Sequence, residues 1–186
     1  MGKVAHGQDR SETIGPILEL VGIVEVSVTE PFSPSEKFST GSGEVEFDNI
    51  STNFSTFFLL GNKMEMPVVR DISCYMLTKK TANGAVIAEL AELAKFTEEA
   101  EIGTTLSEIY SLLVKQANGE EGVLLNDGSA NIFYVNCPSG MLRTVSLQWR
   151  GGWFVGTPSN TCELVDGTQV FSGEDRLHVP RMMNLQ

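Results

Sequence analysis

Residues 104–119 read TTLSEIYSLLVKQANG, and residues 131–155 read NIFYVNCPSGMLRTVSLQWRGGWFV. The first stretch has the pattern of a capped amphipathic helix. Thr105-Leu106-Ser107-Glu108 fits a capping box, in which the threonine oxygen takes the N3 amide and the glutamate reaches back to the cap amide. Leu106, Ile109, Tyr110 and Leu113 recur at the i, i+3, i+4, i+7 spacing that lines one helical face. Asn118-Gly119 closes the helix, because glycine accepts the left-handed backbone that ends one. The second stretch alternates instead: Val145, Leu147 and Trp149 share one face, and Thr144, Ser146 and Gln148 share the other. Pro138-Ser139-Gly140 and Gly151-Gly152 separate strands at residues 132–135, 142–150 and 153–155. With residues 123–125 leading into an Asp127-Gly128 turn, the pattern predicts an antiparallel meander with one amphipathic helix packed on it. Val170-Phe171, after Asp166-Gly167, reads as an added edge strand.

The first half is richer in strand signals. Val24, Val26 and Val28 alternate with Glu25, Ser27 and Thr29, which predicts a half-buried strand ending at Pro31. Residues 31–43 read as a loop, with Pro34, Gly41 and Gly43. Val45 and Phe47 point inward in a second strand whose outer face is Glu44, Glu46 and Asp48. Residues 53–60 predict a third, although Phe54, Phe57 and Phe58 fit no single alternation. Residues 69–80 predict another, with Ile72, Cys74 and Met76 on one face and Asp71 and Ser73 on the other. Asn83-Gly84 between apolar runs signals a type I′ hairpin. Residues 89–101 read either as a short helix, from the spacing of Leu90, Leu93 and Phe96, or as an acidic loop. The expected class is α+β, in four parts: a leader 1–15, a β-rich unit 16–101, a helix–meander module 102–172 and a tail 173–186.

Composition narrows the function. Hydrophobic residues make up 41% of the 186 and charged residues 20%, a globular balance with enough chain for a core. Thirteen basic residues against 24 acidic ones give a net charge of −11. The basic residues are scattered, so nucleic acid and anionic membrane surfaces are not expected partners. Cys74, Cys137 and Cys162 form no CxxC pair, which points to reduced, mostly buried thiols rather than a disulfide framework or a zinc site. His6 and His178 both lie near the termini, so a serine or cysteine nucleophile lacks a base within reach. No glycine loop matches a phosphate cradle. Glu98, Glu99, Glu101, Glu120 and Glu121 lack the alternating ligand spacing of a calcium loop. No cofactor and no metal are expected. Residues 1–10 contain no apolar signal region, and the run Phe57-Phe58-Leu59-Leu60 is too short to span a bilayer, so a cytoplasmic location is expected.

Three blocks carry a resemblance: Leu106-Ser107-Glu108-Ile109-Tyr110, Gly122-Val123-Leu124-Leu125-Asn126 and Ala130-Asn131-Ile132-Phe133-Tyr134-Val135. Followed by Leu142-Arg143-x-Val145, Gly151-Gly152-Trp153 and Val170-Phe171-Ser172, they resemble a module of uncharacterised bacterial proteins. The resemblance covers the second half and the segment around Ile87-Ala88-Glu89-Leu90. It implies that residues 104–172 act as a unit and brings with it no activity, cofactor or site.

The leading expectation is therefore a non-enzymatic protein-interaction or structural module, with contacts at sheet edges and at the Trp153 turn. A second expectation is a small-ligand module, for example for carbohydrate. Its platform would be Tyr134 and Trp153, rimmed by Arg143, Gln148 and Arg150. Alternation sends Trp149 to the core, whereas Trp153 follows a tight turn and is expected to be partly exposed. A hydrolase working through paired carboxylates is the third, and the sequence singles out no pair for it. A fourth is a chain that works only inside an assembly.

Overall fold

The computed structural model describes residues 15–41, 43–61, 63–93 and 102–173. Its strands are β1 (Leu18–Val28), β2 (Phe47–Ile50), β3 (Val68–Leu77), β4 (Thr81–Ala82), β5 (Asn131–Asn136), β6 (Leu142–Trp149), β7 (Trp153–Gly156), β8 (Glu163–Leu164) and β9 (Gln169–Gly173). The helical segments are α1 (Pro34–Lys37), α2 (Thr52–Phe54, passing into a π-helix at Ser55–Leu59), α3 (Asn83–Leu93) and α4 (Leu106–Val114). Seven strands form one mixed sheet in the order β1-β3-β9-β5-β6-β7-β2, and β4 pairs separately with β8. The class is α+β. Strands from both sides of residue 101 share the sheet. The expected leader and tail, except Gly15 and Gly173, and residues 94–101 of the helix-or-loop segment lie outside the described residues.

Each face of the sheet is covered, and side-chain alternation divides the core in two. On the first face Val26, Ile72, Phe133, Val145, Leu147, Trp153, Val155 and Phe171 pack with Leu106, Ile109 and Leu113 of α4. The same cluster holds the rings of Phe32, Phe38, Phe47, Phe54 and Tyr110, with Phe38 and Phe54 centroids 5.1 Å apart. On the second face Leu18, Tyr75, Leu77, Ile132, Tyr134 and Val170 pack with Val86, Ile87 and Leu90 of α3. Strands covered on both sides have no water-facing side to keep polar, which is why β5 and β9 are almost continuously buried.

The meander β5-β6-β7 is antiparallel as expected. Four local expectations are corrected. Val170-Phe171 is central rather than at an edge: β9 pairs antiparallel with β3 and parallel with β5, and Phe133 and Phe171 stack at 4.4 Å. Residues 123–125 form no strand, because buried amide side chains take their backbone bonds. Leu124 N–H donates to Gln116 Oε1 (2.7 Å), Gln116 Nε2 donates to Leu124 O (3.0 Å), and Leu125 N–H donates to Asn131 Oδ1 (2.8 Å). Residues 53–60 are helical: Ser51 Oγ caps the turn by accepting from Phe54 N–H, and Phe54 and Phe58, four apart, are the buried pair. Asn83-Gly84 opens α3 instead of turning a hairpin. The Asn83 side chain is buried, donating to Thr144 Oγ1 (2.7 Å) and accepting from the Tyr134 hydroxyl (2.7 Å), so it ties the helix start to β5 and β6.

Candidate functional site

The five residues expected to form a binding face are not brought together. Tyr134 and Trp153 are both fully buried, and they lie on opposite faces of the sheet. Burial pushes the Tyr134 phenol far up, and its hydroxyl is held by Asn83. Trp153 Nε1–H donates to the carbonyl of Gln116 (2.8 Å), which draws the indole inward and makes it more buried than Trp149. That reverses the expected order of the two tryptophans: a nearby turn does not expose a ring whose donor has an interior partner. Trp149 packs edge-on to Trp153 and over Gly119, where a Cβ would stand 2.3 Å from the indole. Arg143 lies on the Trp153 face with its guanidinium 3.6 Å from the centre of the Phe57 ring. Burial works to raise the Cys137 thiol, yet hydrogen bonds from Ser139, Met141 and Arg143 outweigh it and lower the thiol overall. Gln148 and Arg150 bond to each other, with Arg150 over the Phe154 ring (4.5 Å). No common platform results from this set.

The cysteines are unpaired, with Cys74 and Cys137 buried and Cys162 half-buried. Burial raises the Cys74 thiol to about 11, although it accepts from Gln169 Nε2. Among the described residues no group of His, Cys, Asp and Glu is arranged to hold a metal ion, and no helix is long and apolar enough to cross a membrane.

What the structure does leave available is the outer edge of β1. This strand is eleven residues long and pairs, among the described residues, only with β3. The direction of its free backbone groups follows from the register. Leu77 gives its amide to Thr168 on the β9 side of β3. Alternation turns Tyr75, Ser73 and Asp71 the same way, and opposite residues in an antiparallel ladder share one hydrogen-bonding sense. Ile23, Glu25 and Ser27, opposite Ser73, Asp71 and Val69, therefore direct their N–H and C=O groups outward.

Side chains around this edge are also unfinished. Leu20 (53%), Val21 (50%) and Ile23 (48%) stand about half exposed. A register shift between Leu20 and Gly22 places a bulge there. Among the described residues, it is the start of the strand that is stopped. The Glu89 carboxylate, from α3, accepts from Leu18 N–H (2.9 Å) and Ile17 N–H (3.4 Å).

At its far end β1 runs beside α4, and an open groove of about 340 Å³ lies between them. Tyr110, Ser111, Glu30, Lys37 and Glu44 line it. The helix that forms one wall is fixed from three directions. Thr105 and Glu108 complete the capping box. Glu108, fully buried, pairs with Arg70 of β3, whose Nη2 also donates to Gly103 O (2.7 Å). The Glu65 carboxylate accepts from Ser107 N–H (2.7 Å) and Leu106 N–H (3.2 Å), and burial raises its pKa despite these bonds, with the Glu108 charge adding to the rise. Inside the groove the Lys37 ammonium sits 5.8 Å from the centre of the Tyr110 ring, and the Tyr110 phenol is raised by burial and by the Glu44 charge. Sequence reading identified β1 as a strand but not as an edge. The one signal was Leu20-Val21-Gly22-Ile23, where apolar residues occupy both parities around a glycine.

Comparison with protein-family models, curated proteins and solved structures finds no match.

Proposed function

We propose that the chain is a non-enzymatic protein-interaction module of the cytoplasm. Its site is the β1 edge, which takes up an extended segment of another protein by strand addition. The observation that supports this reading is the outward backbone of Ile23, Glu25 and Ser27 beside half-exposed Leu20, Val21 and Ile23. In strand addition the main-chain bonds provide affinity and side-chain contacts provide selectivity. The buried positions of Tyr134 and Trp153 give the small-ligand alternative no comparable support.

A displayed library of random peptides tests the reading, selected on the wild-type protein with Ile23→Pro as the counter-target. Proline at an outward edge position removes the donor that an added strand uses, without taking a bond from the existing ladder. Enrichment of peptides with alternating apolar residues, which bind wild type and not Ile23→Pro, is the expected result. Selected peptides that bind both proteins equally would contradict it.

A further inference from the structure

We infer that the segment added to β1 alternates apolar with basic residues, a lysine or arginine side chain entering the groove between β1 and α4. This inference rests on the strand-addition reading and specifies the partner that reading leaves open.

The two sides of the edge ask for different side chains. An extended segment laid along β1 sends successive side chains to opposite faces of the sheet. On the α3 face it meets Leu20 and Ile23, which are apolar and about half exposed, and beyond them Glu25 and Ser27. On the α4 face, at the end of β1, it meets the groove with Glu30, Glu44 and Tyr110. Two carboxylates there face the single ammonium of Lys37, which leaves the groove net negative. A long basic side chain suits such a site, because its methylene stem can lie along the groove wall while its head remains near the carboxylates.

Charge along the strand points the same way. Between Leu18 and Pro31 the chain carries Glu19, Glu25 and Glu30 and no Lys or Arg. A second copy of the protein would set these acids against an identical edge with no positive charge to meet them, and like charges directly opposite destabilise a pair of strands. The net charge of −11 disfavours any acidic partner over a longer range. The occupant that fits is an apolar–basic strand from a different protein.

Three synthetic probes of about eight residues, within the natural range of strand lengths, test this: alternating valine and lysine, valine and serine, and serine and lysine. Binding is measured at physiological salt to wild type, Ile23→Pro, Glu44→Lys and Glu121→Lys. Glu121 is exposed beyond the end of α4, so Glu121→Lys changes net charge by the same amount away from the groove. The valine–lysine probe is expected to bind wild type roughly tenfold tighter than either other probe. That preference should disappear in Glu44→Lys and persist in Glu121→Lys. Equal loss in both charge variants, or a serine–lysine probe that binds as well, would reduce the effect to bulk charge and overturn the inference. So would self-association of the free protein that Ile23→Pro abolishes, because the occupant would then be a second copy. If valine–serine binds as tightly as valine–lysine and both are lost in Ile23→Pro, the basic requirement fails while strand addition stands. If none of the probes distinguishes wild type from Ile23→Pro, both fail.

Discussion

At one margin of the sheet β2 offers four residues, and at the other β1 offers eleven. The short edge is closed by ordinary means. Asp48 and Asn49 are exposed along it, Ser51 then caps a helical turn, and the backbone has no length left to template a partner. Its inward side is rooted in the core through Phe47, and Trp153 N–H donates to Glu46 O at 2.7 Å. The long edge is guarded at its start by Glu89 and kinked at its bulge, where Leu20 and Val21 are half exposed, and beyond that point it keeps outward backbone at Ile23, Glu25 and Ser27. Natural sheets blunt their edges because unpaired strands recruit other chains. Among the described residues one edge is blunted and the longer one is not, and the proposed function rests on this difference.

The contrast can be broken most severely at β2. Phe47→Ala removes a buried ring from the aromatic cluster and is expected to cost about 3–5 kcal/mol of unfolding free energy in urea denaturation. A loss under about 1 kcal/mol would mean that the short edge is not rooted as described. On β1, two neighbouring prolines separate inward from outward positions. Val24→Pro takes a donor from the ladder to β3 and leaves a carbonyl unpaired, for a cost of about 1–3 kcal/mol. Ile23→Pro removes an outward donor and should stay within about 1 kcal/mol of wild type. Equal costs would refute the assignment of outward residues.

The smallest effect concerns the helix wall beside β1. Burial raises the pKa of Glu65, so the folded state holds that proton more tightly than the unfolded chain does. The stability linked to it is fully present below the ordinary carboxylate value and is lost as pH rises through the raised one. The stability of Glu65→Gln relative to wild type should therefore improve between about pH 4 and about pH 7. A difference that is flat in pH would show that the Glu65 carboxylate is not held as described.

Elements specified by neighbouring residues were legible from sequence. The capping box at Thr105 and the strands of the meander depend on contacts a few positions apart, and both are present. What escaped depends on distant partners. Nothing near Val170-Phe171 records that β3 and β5 flank it, and nothing near Asn83 records that Tyr134 and Thr144 await its side chain. Residues 123–125 look like a strand until Gln116 and Asn131 take their hydrogen bonds. The expected binding face dissolved for a related reason, since Tyr134 and Trp153 alternate to opposite faces once the register is fixed. Edge status is a property of strand order, so β1 was visible as a strand and invisible as an edge.

Amide hydrogen exchange along β1, followed residue by residue by NMR, is the most direct measurement of that site. In the free protein the account predicts fast exchange at Ile23, Glu25 and Ser27 and protection at Val24 and Val26. Adding the valine–lysine probe should slow the first set and leave the second unchanged. Uniform protection in the free protein, or no change at Ile23, Glu25 and Ser27 at saturating probe, would contradict the open edge on which the proposed function depends.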